Sequence, residues 1–329
     1  MKLSKFKFKL PDEQIAQYPA RHRDESRLMV VDKNTGKIEH RIFKDIPDYF
    51  RQGDLLVLND TKVLASRLQG SRSSGGRVEV LLLKHKNNLV FHALIKPSRI
   101  KIHEKIMFNN GSLSGEVTAR NEISFTAEDI AAVYRQGKMP LPPYIKRLPE
   151  DLDNVYYQTV YAQNEGAIAS PTAGLHFTQE LIAGIKSAKV NLAYITLHIN
   201  YSTFKPVKCE NIEEHKMDGE YFNIEDQASR LIKDAQSARS RIIAVGTTTC
   251  RALEAYASGT SRGQTDLFIY PGYKFKIVDC LLTNFHLSRT TLFMLVCAFA
   301  GEKLARKAYQ EAIDSRYRFY SYGDAMLVI

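Results

Sequence analysis

The stretch from residue 77 to residue 126 most constrains the fold, because short strand-like runs alternate there with turn-forming residues. The runs are Arg77–Leu83, Leu89–Ile95, Ser114–Thr118 and Glu122–Thr126. Glycine and asparagine pairs separate them, as is typical of turns between strands. Several short strands at regular spacing predict a small β-barrel. Three prolines between residues 140 and 143 end the pattern, since proline continues neither a helix nor a central strand.

On both sides of this stretch the pattern is that of a mixed α/β protein. The predicted strands are Leu55–Leu58, Leu192–Ile199 and Ile242–Val245. The predicted helices are Gln179–Ser187, Glu225–Arg239 and a long one from about Thr291 to Ile313, with Ser288 or Thr290 as its cap. We therefore predict an α/β fold: a mixed α/β main domain formed by both chain ends, residues 1–60 and 154–329, with a small β-barrel domain, residues 61–153, inserted.

The first part of the predicted barrel also carries most of the excess of positive over negative charge. Lys and Arg number 46 against 36 Asp and Glu, a formal charge of +10. Between residues 61 and 110 ten basic residues stand against two acidic ones, an excess of eight. Clustered positive charge is expected of a protein that binds a polyanion such as nucleic acid. A solvated surface that keeps the protein soluble accounts for the charge as well.

The cysteines and apolar runs indicate the compartment. The four cysteines are Cys209, Cys250, Cys280 and Cys297. They are widely spaced, which argues against a disulfide framework or a structural zinc site and fits a reducing compartment. The first residues lack the apolar run of a signal peptide, and the longest apolar run, Leu292–Ala300, is too short to span a bilayer. We expect a soluble, cytoplasmic protein that does not contact a membrane.

The segment Ile242–Glu254, IIAVGTTTCRALE, joins an apolar strand to a helix through a glycine and three threonines. The start of a helix offers unpaired N–H groups to an anion, and Gly246 lets a ligand approach the backbone. Arg251 lies near the positive end of this helix, where a cation is disfavoured, so we expect an anion nearby. The alternative is a simple tight turn with Arg251 paired to Glu254. The segment is neither a P-loop nor a dinucleotide fingerprint.

Four histidines are candidate acids or bases, because imidazole titrates near neutral pH. They are His176, His198, His215 and His286. None has the spacing of a zinc site, and a lone histidine is more often packed than catalytic. His176 and His286 stand out because each lies in a turn before a helix, where functional residues concentrate. The first of these turns is Pro171–Thr178, PTAGLHFT. The tyrosines of Tyr156–Tyr161 precede it and can stack on a base or a sulfonium, although core packing is their ordinary explanation.

These segments occur in an order that resembles the S-adenosylmethionine:tRNA ribosyltransferase-isomerase family of the bacterial queuosine pathway. The matching segments are Leu10–Asp12, Ile15–Pro19, Arg23-Asp24, Ser26–Leu28, Asn59–Val63, Leu141–Ile145, Tyr157–Tyr161, Pro171–Thr178, Glu214-His215, Val245–Thr249, Thr283–Leu287 and Gly323–Met326. The resemblance covers nearly the whole chain. Departures include Ser170, where alanine is usual, and Asp218, where histidine is common.

The resemblance implies a transferase-isomerase. Such an enzyme transfers and isomerises the ribosyl part of S-adenosylmethionine onto 7-aminomethyl-7-deazaguanine at the wobble position of tRNA. The products are epoxyqueuosine-tRNA, adenine and methionine. The resemblance also implies S-adenosylmethionine as co-substrate, no metal, tRNA as partner, and a cytoplasmic monomer without an obligate protein partner.

Site residues follow from the same resemblance. We assign proton transfer to His176 and His286, with His198 and His215 behind them. The residues expected to contact the cofactor are Tyr161, Thr172, Gly174, Phe177, Gly246, Thr247, Thr248, Arg251 and Asn284. Of these, Thr247, Thr248 and Arg251 bind either the methionine carboxylate or a tRNA phosphate. The residues expected to contact the tRNA substrate are Asp12, Arg27, Asn59, Asp60, Arg72, Arg77, Lys84 and Lys86.

Two other classes of function remain open. An S-adenosylmethionine-dependent RNA methyltransferase would release S-adenosylhomocysteine, but the chain lacks the glycine-rich loop common in that class. A non-enzymatic RNA-binding protein would explain the charge, but not the turns that bear histidine and threonine.

Overall fold

The structure is a computed structural model that describes residues 1–204 and 207–329, without the side chains of Ser202 and Phe204. The chain forms two compact units. An α/β unit contains residues 1–62, 143–147 and 158–329, and a barrel unit contains residues 63–142 and 148–157. The α/β unit thus takes up residues 143–147, which lie inside the range predicted for the barrel. The predicted fold class, mixed α/β with a β-barrel, is confirmed.

The described residues form the following elements. The strands are β1 (Arg27–Val31), β2 (Ile38–Ile42), β3 (Leu55–Asn59), β4 (Thr61–Val63), β5 (Arg67–Arg72), β6 (Arg77–Asn87), β7 (Val90–Lys96), β8 (Lys105–Phe108), β9 (Leu113–Ala119), β10 (Glu122–Thr126), β11 (Asn164–Ala167), β12 (Asn191–Leu197), β13 (Glu220–Asn223), β14 (Ile242–Val245), β15 (Arg262–Thr265), β16 (Cys280–Asn284) and β17 (Ala325–Val328). The helices are α1 (Ile130–Arg135), α2 (Asp151–Tyr156), α3 (Gln179–Ser187), α4 (Asp226–Ser237), α5 (Thr247–Tyr256), α6 (Thr291–Ala300) and α7 (Glu302–Asp314). Among these helices, none is both long and apolar enough to cross a membrane.

One large sheet organises the α/β unit, in the strand order β15-β13-β12-β3-β14-β16-β17-β1-β2. Its centre is parallel, because β12, β3, β14 and β16 run in the same direction. Side chains alternate between the two faces of a strand. Accordingly, Leu55 and Val57 of β3 pack into one core with α4 to α7, and Leu56 and Leu58 pack into the other with α3. The parallel strands are therefore covered on both faces, as their continuous apolar runs require.

The C-terminal helix differs from the prediction. The single helix expected from about Thr291 to Ile313 is wrong, because α6 ends at Ala300 and α7 starts at Glu302. Gly301 between them has a φ of +84°, a conformation that favours glycine and ends a helix. The predicted cap is confirmed at Thr290, whose hydroxyl accepts a hydrogen bond from the backbone N–H of Phe293 at 3.3 Å.

The barrel unit closes in the order β10-β7-β6-β5-β8-β9, and β9 pairs with β10. Its neighbouring strands are antiparallel. Alternate residues such as Val80, Leu82 and Phe91 point inward and form a core of their own. The four strands predicted in this region are observed, and β5 and β8, which were not predicted, complete the closure.

Candidate active site

The parallel strands bring many of the predicted site residues to one edge of the sheet. Asn59 ends β3, Gly246 follows β14 and Asn284 ends β16. The neighbouring strands β17 and β1 begin at the same edge, so Asp324, which precedes β17, and Ser26, which precedes β1, also lie there. Open α/β sheets bind ligands in the crevice beyond the carboxyl ends of their strands.

A cavity of about 360 Å³ lies at this edge. Its volume is within the range of small-molecule sites. The predicted site residues that line it are Thr172, Gly246, Thr247, Thr248, Asn284 and His286. The lining residues that were not predicted include Tyr144, Ser170, Thr203, Tyr320 and Ser321. Of the described residues in its wall, none is Lys, Arg, Asp or Glu, so hydroxyl, amide and apolar groups dominate the surface that meets a ligand.

His176 is buried and does not line the cavity. Its Nε2 accepts a hydrogen bond from Nδ2 of Asn284 at 3.1 Å. The ring proton is therefore on Nδ1, which donates to Oγ of Ser26 at 2.7 Å. Burial, and to a lesser extent the charge of Arg318, lowers the pKa of His176 to about 3, so the ring is neutral at neutral pH. The structure thus places His176 as a support for Asn284, whose Oδ1 also accepts from the hydroxyl of Thr172 at 2.8 Å.

His286 lies in the cavity wall. Its Nε2 is 2.8 Å from Oγ1 of Thr283, and its backbone N–H donates to the hydroxyl of Tyr309 at 3.1 Å. Burial lowers the pKa of His286 to about 3. At neutral pH the ring is therefore neutral and has a lone pair that can take a proton, and burial makes it a weaker base than a solvated imidazole.

The other two histidines lie apart from this cavity. Nδ1 of His198 is 2.8 Å from Oγ1 of Thr61, and its ring stacks on Tyr221. His215 contacts the ring of Phe268 edge-on. Burial lowers the pKa of both histidines. The structure therefore does not bring the four candidate histidines together around one ligand position.

Arg251 is buried, and its guanidinium forms an ion pair with Glu220. Its Nε also donates to the carbonyl of Leu267 at 2.9 Å. The anion expected near Arg251 is therefore a carboxylate of this chain, and it is not Glu254, which instead accepts backbone N–H groups such as that of Ile277 at 3.0 Å. Since this guanidinium is occupied and absent from the cavity wall, we do not assign it to cofactor or phosphate binding.

The PTAGLHFT turn depends on Gly174. A Cβ at this position would lie 2.1 Å from the hydroxyl of Tyr161. Tyr161 packs in the second core of the sheet, as does Phe177, whose ring contacts Phe43 edge-on. Tyr161, Gly174 and Phe177 therefore shape the turn, and the cavity itself is lined by Pro171, Thr172 and Ala173.

The residues predicted from the N-terminal part of the chain have mostly structural partners. Asn59 bridges two strands, because its Nδ2 donates to the carbonyl of Leu197 at 3.0 Å and its Oδ1 accepts from the N–H of the same residue at 3.0 Å. Nε of Arg27 donates to Asp324 at 3.3 Å. Asp12 is exposed, 3.5 Å from Nζ of Lys146. Asp60 accepts hydrogen bonds from Thr196 and Asn164 but, unlike Asp12, has no cation within ion-pair distance among the described residues.

The four basic residues of the barrel that are predicted to contact tRNA fall into two pairs. Arg72 forms an ion pair with Glu104, and Lys86 with Glu122 at 2.6 Å. Arg77 and Lys84 are exposed and have no ion-pair partner within the described part of the barrel. Of these four residues, Arg77 and Lys84 thus carry charges that no ion pair within the described part of the barrel compensates.

Two tyrosines form part of the cavity wall that the sequence did not reveal. The rings of Tyr144 and Tyr320 are 3.8 Å apart between centroids at 31°, and the hydroxyl of Tyr144 lies 2.6 Å from Oγ of Ser321. Tyr320 has a φ of +73°, which is uncommon for a bulky residue and is often found where the surroundings fix a functional group. The Leu141–Ile145 motif was the available signal for Tyr144.

Comparison with known proteins shows which family this chain belongs to. Residues 3–328 match the model of a family described as queuosine biosynthesis protein. The chain belongs to this family. It is 48% identical over 336 residues to the S-adenosylmethionine:tRNA ribosyltransferase-isomerase of Sulfurihydrogenibium sp. (strain YO3AOP1), covering all of both chains. It is also 48% identical over 346 residues to the protein of the same name from Caldanaerobacter subterraneus subsp. tengcongensis, again over the full length of both.

A solved structure agrees with this assignment. The crystal structure of S-adenosylmethionine tRNA ribosyltransferase from Thermotoga maritima is 36% identical to this chain, with a TM-score of 0.58, and the match covers 99% of this chain and 100% of that one. The family predicted from the ordered motifs is therefore confirmed, and so is the enzyme class, a transferase-isomerase.

Proposed function

We propose that this enzyme transfers and isomerises the ribosyl part of S-adenosylmethionine onto 7-aminomethyl-7-deazaguanine at the tRNA wobble position, giving epoxyqueuosine-tRNA, adenine and methionine. The observation that carries the proposal is the end-to-end likeness to relatives named S-adenosylmethionine:tRNA ribosyltransferase-isomerase. A cavity of about 360 Å³ at the carboxyl edge of the parallel strands supports it, because its size and its uncharged wall suit a nucleoside.

The cavity contains groups for binding and for proton transfer. Helix α5 starts at its wall with Thr247 and Thr248, and the N–H groups of a helix start attract an anion such as the methionine carboxylate. A sulfonium next to the ribose 5′ carbon acidifies its protons and is a leaving group. His286, neutral and in the wall, is our candidate for the base that takes such a proton. The protonated ring is then a donor for the departing adenine.

His176 has a different role in this proposal. It lies behind Asn284 and holds the amide through its Nε2 at 3.1 Å, so that the amide of Asn284 faces the cavity in one orientation. We therefore assign His176 as a positioning residue. On the barrel, Arg77 and Lys84 are our candidates for phosphate contacts with tRNA, since their charges are not used within the unit.

The test is product analysis. The protein is mixed with S-adenosylmethionine and a tRNA that carries the 7-aminomethyl-7-deazaguanine base, and small molecules are separated by chromatography. We expect adenine and methionine in equal amounts, and no release with tRNA that carries guanine at the wobble position. Release of S-adenosylhomocysteine would identify a methyltransferase instead. Absence of any cofactor turnover with the modified tRNA would refute the proposal.

A further inference from the structure

Asp60 is a buried carboxylate at the carboxyl end of β3, a strand in the centre of the parallel sheet, and is 7% exposed. Its Oδ1 accepts a hydrogen bond from the hydroxyl of Thr196 at 2.7 Å, and its Oδ2 accepts one from Nδ2 of Asn164 at 3.1 Å. Both donors are neutral, so they replace water around the carboxylate without balancing its charge. A buried charge without an opposite charge is strongly unfavourable, and proteins retain one where it has a use.

The basic residues near Asp60 in the sequence and in space have other partners. Nζ of Lys62 pairs with Glu165 at 3.0 Å, and Nη1 of Arg23 donates to the carbonyl of Leu175 at 3.0 Å. The ring of His198 is close enough for the charge of Asp60 to act on it, but burial outweighs that effect and the pKa of His198 is lowered, so the ring is neutral at neutral pH. Across the described ranges, Asp60 has no cation within ion-pair distance.

Two tyrosines lie close enough for the charge of Asp60 to act on them. Tyr161 and Tyr194 have ring centroids 5.9 Å apart. Burial, followed by the charge of Asp60, raises the pKa of Tyr194, and the same charge contributes to the raised pKa of Tyr161. The hydroxyl of Tyr161 and that of Thr159 are buried and have no hydrogen-bond partner among the described residues. Ring faces attract cations, and the spare hydroxyl oxygens can accept hydrogen bonds.

This cluster adjoins the cavity. Asp60 follows β3, and the next strand, β14, leads directly into Gly246 of the cavity wall. Neighbouring strands lie about 4.8 Å apart. The PTAGLHFT turn joins the two places, because Ala173 lines the cavity and Gly174 lies against the hydroxyl of Tyr161. The cluster and the cavity wall are therefore neighbours at this edge of the sheet.

From this arrangement we propose that Asp60, with the rings of Tyr161 and Tyr194, binds a primary ammonium group of a substrate. The inference rests on the proposed function, which supplies two such groups: the α-ammonium of S-adenosylmethionine and the aminomethyl group of the tRNA base. A primary ammonium has three donors, and the carboxylate oxygens of Asp60, each of which accepts one hydrogen bond within the chain, have lone pairs left to accept them. An ion pair with the substrate supplies the opposite charge that the described residues do not provide.

The first experiment compares two buried aspartates that flank β3. Asp60→Asn keeps the size of the side chain and removes its charge. Because no cation is lost, we expect the ligand-free variant to melt at the wild-type temperature or above it. The matched control is Asp54→Asn, since Asp54 pairs with Arg241 at 2.5 Å, and this variant should melt lower. A fall in melting temperature for Asp60→Asn as large as that of the control would overturn the inference, because it would show that the charge stabilises the fold.

The second experiment identifies the source of the ammonium by calorimetry and kinetics. If it is the α-ammonium, Asp60→Asn weakens the binding of S-adenosylmethionine about 10- to 100-fold and leaves that of its deaminated analogue unchanged. If it is the aminomethyl group, cofactor binding is unchanged and the KM for the modified tRNA rises by a similar factor. Changes below about twofold in both would overturn the inference. Failure of the wild-type protein to release adenine would count against the proposed function instead, and the calorimetric comparison would remain interpretable.

Discussion

Glu220 is the residue whose replacement tests most directly how the cavity loop is supported. Its carboxylate forms an ion pair with Arg251, and the two side chains are 1% and 4% exposed. Removing one partner of a buried pair leaves the other charge without compensation and costs about 3–5 kcal/mol. We therefore expect Glu220→Gln to lower the free energy of unfolding by about 4 kcal/mol, and Tm by about 10 °C.

The same carboxylate also holds the loop that leads to the cavity. It accepts hydrogen bonds from the backbone N–H of Asn200 at 3.0 Å and from the hydroxyl of Thr203 at 2.8 Å. Because Thr203 lines the cavity, Glu220→Gln should weaken S-adenosylmethionine binding as well as the fold. Chemical denaturation measures the first effect and calorimetry the second. Thr203→Val is the control that removes one hydroxyl and leaves the ion pair in place.

A double replacement separates charge from packing. Adding Arg251→Met to Glu220→Gln removes the uncompensated guanidinium, so the double variant should recover more than half of the lost stability. The coupling between the two changes should exceed about 1 kcal/mol. A loss below about 1 kcal/mol for Glu220→Gln alone, or strictly additive effects of the two changes, would refute the reasoning.

Three further changes have expected outcomes. Burial lowers the pKa of His286 to about 3, below the value of about 6.5 in an unfolded chain. The unfolded chain therefore binds the proton first, and the stability that depends on the neutral ring is present above about pH 6.5 and lost as the pH falls towards 3. Between pH 7 and pH 4 the Tm of His286→Gln should therefore fall less steeply than that of the wild-type protein. Equal slopes for the two proteins would contradict this. Gly174→Ala should cost about 1–3 kcal/mol by crowding the Tyr161 hydroxyl, and adding Tyr161→Phe should restore part of it in thermal melts; no rescue would place the strain elsewhere. Arg77→Ser should reduce the slope of log K against log salt for tRNA binding by about 1, whereas Arg72→Ser, which loses an internal ion pair, should change it less; equal changes would remove the distinction between free and paired charges.

The local sequence pattern predicts the bounds of an element most accurately where a cap or an unbroken apolar run marks both ends. The bounds of α3 and β14 coincide with those predicted, because each is a short segment with a clear cap or an unbroken apolar run. The break at Gly301 was missed since the apolar spacing of α6 continues into α7, and only the backbone conformation of one glycine separates them. The spacing of apolar residues in a sequence does not show that one helix ends and the next begins in a new direction.

Contacts between side chains far apart in the chain could not be predicted from the sequence pattern. The sequence predicts an anion near Arg251, with Glu254 of the same helix as the alternative partner, but the anion is Glu220, 31 residues earlier in the chain. Tyr144 and Tyr320 meet in the cavity wall, although no periodicity connects them. By contrast, the contact between Thr172 and Asn284 joins two turns that the sequence had singled out independently. The motifs thus indicated which segments form the cavity, and the topology of the sheet determines which of their side chains are in contact.

The order of the parallel strands has a consequence for synthesis on the ribosome. β3 is buried along its whole length between β12 and β14, but these partners follow it by well over a hundred residues, after the barrel. At about 5–20 residues per second, β3 waits on the order of 10–40 s for both neighbours. The barrel strands pair with strands close by in the chain and complete their unit within that interval. During this time the chain exposes a strand of four apolar residues and Asn59 with two free edges, so slow translation is the condition under which this protein most needs a chaperone.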